Sequence, residues 1–196
     1  PAGMASYTWS TGESSSAITV NATGVFWCDV VTGQQMVVNG NFSAGATGFN
    51  NPFTFNSNMV PNGTYYVGTD ASQQHHNFQG TGDGNFLMVN ASSAHNNWSV
   101  WCQTITGCPG QTYAVSFRAL DLSGTDPPRL SWYVNNQFHS GPYNVPIRGS
   151  GWATFNTTWT APASGSANFC LRIQNTTNGG SDLGLDDFSI ISTAVL

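Results

Sequence analysis

Between Asn85 and Phe117 the chain reads NFLMVNASSAHNNWSVWCQTITGCPGQTYAVSF, three apolar, alternating runs separated only by polar or Pro-Gly turn residues. Runs this short, bounded by turn signals, are consecutive β-strands and not helix. The period of two then sorts the side chains. Tyr113, Val115, Phe117 and Ala119 share one face of their strand, with Thr112, Ala114, Ser116 and Arg118 on the other; Leu130, Trp132 and Val134 likewise oppose Ser131, Tyr133 and Asn135. The apolar sets must face a core. Further on, Phe169, Leu171 and Ile173 point inward and Asn168, Cys170, Arg172 and Gln174 outward, and the phase changes near Asp186 as a bulge would cause. More strands are expected at residues 52–56, 64–68, 85–90, 98–105, 152–160 and 183–191. About nine strands, no helix-forming stretch and short turns make an all-β, two-sheet sandwich.

Charge narrows the function classes. Only 7% of the residues are charged, Lys is absent, Glu13 is the one glutamate, and the formal net charge is −5. Four scattered arginines form no basic stripe, which argues against a nucleic-acid partner. No apolar run approaches the roughly 20 residues of a membrane-spanning helix. Catalytic constellations are equally sparse. His75, His76, His95 and His139 lie in polar, loop-like segments, without a nucleophile elbow or a His-Glu-x-x-His helix. A glycosidase needs two carboxylates across a cleft, and the Asp residues sit mostly in turns or at Asp186-Asp187. The chain is therefore expected not to be an enzyme.

The 196 residues allow one or two domains, and the chain divides near residue 34. From Tyr7 to Val31, YTWSTGESSSAITVNATGVFWCDVV gives three short strands joined by Thr-Gly-Glu-Ser and Asn-Ala-Thr-Gly turns. Residues 1–34 resemble the C-terminal part of the immunoglobulin-like repeats found in surface proteins of gliding and related Bacteroidota. The resemblance implies a partner for Cys28 before residue 1; half a sandwich cannot bury its own sheet face, so either an upstream half belongs with it or these strands pack on the next domain. Residues 35–196 form the second unit. The cysteines, Cys28, Cys102, Cys108 and Cys170, have no metal-ligand spacing, so disulfides and an oxidising compartment are expected, with the connectivity open.

Five segments of this second unit carry a second resemblance: Val38-Asn39-Gly40-Asn41-Phe42, Gly82-Asp83-Gly84-Asn85-Phe86, Val100-Trp101-Cys102-Gln103-Thr104, Pro109-Gly110-Gln111-Thr112-Tyr113 and Leu185-Asp186-Asp187-Phe188. Together they resemble the jelly-roll carbohydrate-binding modules of the galactose-binding-domain-like group, which bind and do not catalyse. The resemblance implies a Cys102–Cys170 bridge, with Cys102–Cys108 as the rival. It also implies a structural calcium ion where the opening and closing strands meet, drawing on Asp186, Asp187, Asn41 and Asp83 for some of its oxygens. Many relatives have an acidic residue directly after the opening motif, where this chain has Ser43.

In the jelly-roll order the strands of Arg118, Tyr133 and Arg172 are expected in one sheet. Their outward residues Arg118, Tyr133, Asn135, Arg172 and Gln174 would then form a polar, singly aromatic sugar face, with Trp98, Trp152 and Trp159 as alternative platforms. The expected function is a non-catalytic carbohydrate-binding module of a secreted or cell-surface multidomain protein. Its partners would be a polysaccharide and the other domains of that protein. The alternative is a structural or adhesive surface domain acting as a spacer or protein-binding module.

Overall fold

The computed structural model describes residues 7–15, 17–26, 28–30, 33, 35–174 and 180–192. The strands are β1 (Tyr7–Trp9), β2 (Cys28–Val30), β3 (Thr54–Phe55), β4 (Thr64–Asp70), β5 (Thr81–Asn90), β6 (Ser99–Thr106), β7 (Thr112–Asp121), β8 (Arg129–Val134), β9 (Gln137–Asn144), β10 (Ala153–Thr160), β11 (Ser166–Ile173) and β12 (Leu183–Ser192). Ten of them build a two-sheet jelly-roll sandwich. One sheet has six strands in the order β10-β7-β12-β5-β4-β3, the other four in the order β6-β11-β8-β9. Pairing is antiparallel throughout, except for the short parallel β3–β4 pair.

The alternation read from the sequence is what fills the interior. Tyr113, Val115, Phe117 and Ala119 of β7 and Leu130 and Trp132 of β8 are buried in the main core with Phe169, Leu171 and Ile173 of β11. Aromatic rings interlock across the two sheets. Trp132 meets Trp101, Phe117 and Phe169 edge-on, with centroids 5.8, 5.5 and 5.9 Å away, and Phe188 stacks on Trp101 at 4.4 Å with 7° between the planes. The bulge lies where the phase change placed it. Asp186 pairs with Arg118 and Ser189 with Ser116, so β12 holds one extra residue there, and Asp187 adopts φ 50°. That insertion turns Phe188 inward while Asp186 stays on the outer face.

The opening segment docks on this bulge. Phe188 N donates to Gly40 O at 3.0 Å, and a Cβ on Gly40 would lie 2.2 Å from Phe188 O, so only glycine permits the approach. Gln103 of β6 fastens the same segment. Its side chain accepts from Val38 N at 2.9 Å and donates to Val38 O at 3.0 Å and to Gly48 O. Outside the six-stranded sheet, Met59, Ala71, Phe78, Phe86, Met88, Leu120 and Leu122 form a second, smaller core.

Three expectations are corrected. First, β7 belongs to the six-stranded sheet and β8 and β11 to the four-stranded one, so Arg118 does not share a face with Tyr133 and Arg172. The connection after β7 crosses from one sheet to the other, which strand parity alone does not reveal. Second, β9 went unread because its sequence QFHSGPYN carries Gly-Pro and no apolar alternation; an edge strand tolerates both. Third, the segment before residue 34 contains two described strands instead of three, an antiparallel ribbon pairing Tyr7 with Val30 and Trp9 with Cys28. The described residues between them form no strand. The cross-link expected for Cys28 concerns a side chain outside the described set.

Cys102 and Cys170 face each other across the β6–β11 pair and form a disulfide that closes a loop of 68 residues, and Cys108 takes no part in it. A cross-link of that span removes unfolded-chain entropy worth about 4 kcal/mol on the loop-entropy account. Peptide mapping without reductant should recover the Cys102–Cys170 peptide pair, and the Cys102→Ser/Cys170→Ser double variant should melt several degrees lower. Recovery of Cys102 joined to Cys108, or an unchanged melting temperature, would contradict this.

Candidate functional site

Residues that point away from the core on the four-stranded sheet form one continuous surface. Register aligns Cys102, Cys170, Tyr133 and Phe138 in a row across β6, β11, β8 and β9, and sets Arg172 opposite Ser131 in the next row. Arg172 sits over Tyr133, its Cζ 4.1 Å from the ring centroid, while Phe138 approaches the same ring edge-on at 5.9 Å. The remaining partner of Arg172 is an amide. Its Nη2 donates to Asn136 Oδ1, and its Nε is buried without an acceptor among the described residues. Asn135 and Asn136, at φ 50° and 65°, make the tight turn from β8 into β9. The Asn135 side chain accepts from Asn168 N at 2.8 Å, which fixes the turn to β11.

Phe138 is 59% exposed, far more than an apolar ring buried for stability would be. Sequence reasoning missed it together with β9 and Asn136. The signal available was the Asn-Asn dipeptide after β8, which marks a hairpin and so a returning strand. Of the expected ligand residues, Tyr133, Asn135, Arg172 and Gln174 do come together on this sheet, with Gln174 tied by its N–H to Arg129 O at 2.7 Å. Trp98 lies just before β6 at the sheet's end, packed edge-on against Phe53 and His95. Trp159 is buried, and Trp152 covers Phe86 on the other sheet.

Arg118 occupies a different setting on the six-stranded sheet. Its Nη1 is 2.8 Å from Asp187 Oδ2 and 3.8 Å from Asp83 Oδ2, and its Cζ lies 5.1 Å from the Trp152 ring. Asn41, Asp83, Asp186 and Asp187 line one depression of about 260 Å³ there, so the four expected metal ligands are neighbours. Burial, with the nearby Asp187 charge, pushes the Asp186 carboxyl up to about 7. The oxygens are of the hard kind calcium takes, but the arrangement serves a guanidinium. Asn41 Oδ1 accepts from Ser43 N and Oγ, and among the described residues no three His, Cys, Asp or Glu side chains are grouped to hold a metal.

A third polar recess of about 390 Å³ opens at one end of the sandwich, between His75, His76, Ser123, Arg148 and Asp182. Its groups are mostly engaged. Arg148 Nη1 donates to Asn77 O at 2.9 Å, Arg148 N donates to Asp121 Oδ2 at 2.9 Å, and His75 stacks on His76 and packs against Phe78. Asp182 accepts from Ala91 N at 3.0 Å, and burial pushes its carboxyl up to about 7.

No family model matches the sequence, and no curated protein does. Solved structures are similar. The CBM22-1 xylan-binding domain of Paenibacillus barcinonensis Xyn10C superposes with a TM-score of 0.52 at 15% identity, over 80% of this chain and 93% of that one. A family 16 carbohydrate-binding module-2 gives 0.51 at 14% identity, over 79% and 98%. The enzymatically active domain of tailspike protein 4 of bacteriophage CBA120 gives 0.53 at 14%, over 80% of this chain but 21% of that one. At such identities the likeness establishes the fold.

Asp182 and Asp186 generate a pH signature. Each is raised in the folded state to about 7 from an ordinary value of 3.8, so the folded protein binds more protons than the unfolded chain between those values. Stability from these groups is then complete at the acid end and is lost as pH rises through about 7. These two carboxyls favour a melting temperature that rises as pH falls from about 8 to about 5. Half-buried His75 and buried His95, whose imidazoles burial pushes down, oppose that rise below about 6.5. Asp182→Asn should remove its share of the rise while stabilising the protein at about pH 8. Equal slopes for parent and variant would show that Asp182 does not titrate there.

Proposed function

We propose that this chain is a non-catalytic carbohydrate-binding module and that sugar lies on the outward surface of the four-stranded sheet around Tyr133, Phe138 and Arg172. The observation that carries the proposal is an exposed aromatic ring, Phe138, on the strand next to Tyr133 and its planar cation Arg172, with the amides of the β8–β9 turn close by. A pyranose stacks its apolar face on such a ring and gives its hydroxyls to planar donors and acceptors. The fold supports the reading, since two of the similar structures are a xylan-binding domain and a carbohydrate-binding module. The sheet's composition supports the non-catalytic part. Strands β6, β8, β9 and β11 contain neither Asp nor Glu, so a sugar on this surface meets no carboxylate pair from those strands for glycoside hydrolysis.

A secreted or cell-surface location fits the Cys102–Cys170 disulfide, which persists in oxidising compartments. Among the described residues no helix is long and apolar enough to cross a membrane.

Affinity electrophoresis against a panel of polysaccharides tests the function. Phe138→Ala and Tyr133→Ala should each weaken retention about thirtyfold, as loss of about 2 kcal/mol implies, with Phe138→Ala leaving the melting temperature nearly unchanged. If no polysaccharide is retained, the spacer or adhesive role becomes the better reading.

Calcium at the Asp83/Asp186/Asp187 depression is a second proposal, supported by the Asp83 and Asp187 carboxylates that share Arg118 and by Asp186 and Asn41 lining the same depression. The ion would compete with Arg118 for Asp83 and Asp187. Calcium should then raise the melting temperature relative to a chelator, more so in Arg118→Gln. Superimposable curves in both proteins would leave Arg118 as the cation of this site.

A further inference from the structure

Resting on the module reading above, we infer that the ligand of the four-stranded sheet is an acidic polysaccharide, one that bears carboxylate or sulfate groups. Charge in this molecule is sorted by sheet. Of nine acidic residues, Asp70, Asp83, Asp121, Asp186 and Asp187 lie on strands of the six-stranded sheet, whereas β6, β8, β9 and β11 carry Arg129 and Arg172 and no acid. Both arginines have the outward parity of Tyr133, opposite to the buried Leu130, Trp132, Leu171 and Ile173. A chain with a net charge of −5 therefore presents one sheet whose strands are only positively charged.

Arg172 is the group that reads this charge. The ion pairs of Arg118 do not include Arg172, whose guanidinium instead meets, among the described residues, a tyrosine ring and a neutral amide. A guanidinium placed over the Tyr133 ring also covers one face of it. The ring left open to a pyranose is Phe138, whose neighbour Tyr133 carries the cation, so a sugar stacked there extends across Tyr133 toward Arg172. Neutral hydroxyls would leave the charge uncompensated, whereas a uronate or a sulfate ester would pair with it through a charge-assisted hydrogen bond. The acidic residues of the other sheet act weakly at this distance. Packed sheets lie about 10 Å apart, and salt screens exposed charges beyond about 8 Å at physiological ionic strength.

The experiment is affinity electrophoresis of the whole chain, in a chelator to exclude calcium bridging. The gels contain polygalacturonate, the same polymer after carboxyl reduction, a sulfated galactan, or neutral xylan. At least one acidic polymer should be retained about tenfold more strongly than both neutral ones, and raising NaCl from about 0.05 to about 0.5 M should weaken it about tenfold or more. Which acidic polymer it is separates carboxylate from sulfate recognition. Arg172→Gln, checked for an unchanged fold by its melting curve, should abolish the preference, and Arg172→Lys should keep part of it.

Retention of xylan or the reduced polymer as strong as that of the acidic ones, or acidic binding indifferent to salt or to Arg172→Gln, would overturn the inference and leave the module reading standing. Should Arg172→Gln fail to fold, the salt series on the unaltered protein decides. Retention of none of the four polymers, nor of any other in a wider panel, would remove the module reading and this inference together.

Discussion

Phe188 reaches the core only because β12 holds one extra residue between Asp186 and Ser189, and its ring then touches aromatics of both sheets. It stacks on Trp101 of β6, lies nearly parallel to Phe117 of β7 at 5.9 Å, and meets Trp132 of β8 edge-on at 6.0 Å. Aromatic pairs at these separations add about 0.5–1.5 kcal/mol each beyond the area they bury, so the sandwich is tied together at its closing strand. The same insertion sets what surrounds it. It holds Asp187 in a left-handed conformation beside Arg118, keeps Asp186 on the outer face, and presents the Phe188 backbone to Gly40.

The two outer faces that result differ in chemistry as well as in charge. On the six-stranded sheet, Trp152 and the small core of Met59, Phe78 and Phe86 cover much of the surface, and Arg118 is committed to carboxylates. On the four-stranded sheet Phe138 is 59% exposed. The sheet's outward row runs from the Cys102–Cys170 disulfide through Tyr133 to Phe138, and the cross-link joins two of the strands that carry the row. A surface held by paired strands and a covalent bridge loses little freedom when a ligand lies on it, which suits a binding site.

Much of the fold was legible because β-structure writes its burial into the sequence with a period of two. The inward sets of β7, β8 and β11 are those predicted from alternation, and the bulge near Asp186 follows from the change of phase. β9 was not legible, since an edge strand with Gly141-Pro142 has no buried face to specify. Its omission hid Phe138 and Asn136, so the candidate surface was read with one aromatic where there are two.

By itself the sequence determined the class, the strands with a buried face and the side of its strand on which each of Tyr133, Arg172 and Arg118 lies, because parity is local. It could not determine which strands become neighbours. Outward parity on β7 and outward parity on β11 mean opposite surfaces of the sandwich once the chain crosses between sheets after Asp121, and that crossing is decided by how the whole core packs. Only the tertiary structure, therefore, separated Arg118, paired with Asp187, from Arg172, stacked on Tyr133 beside an exposed ring. Two arginines of identical pattern acquired different chemistry from the neighbours that long-range pairing gave them.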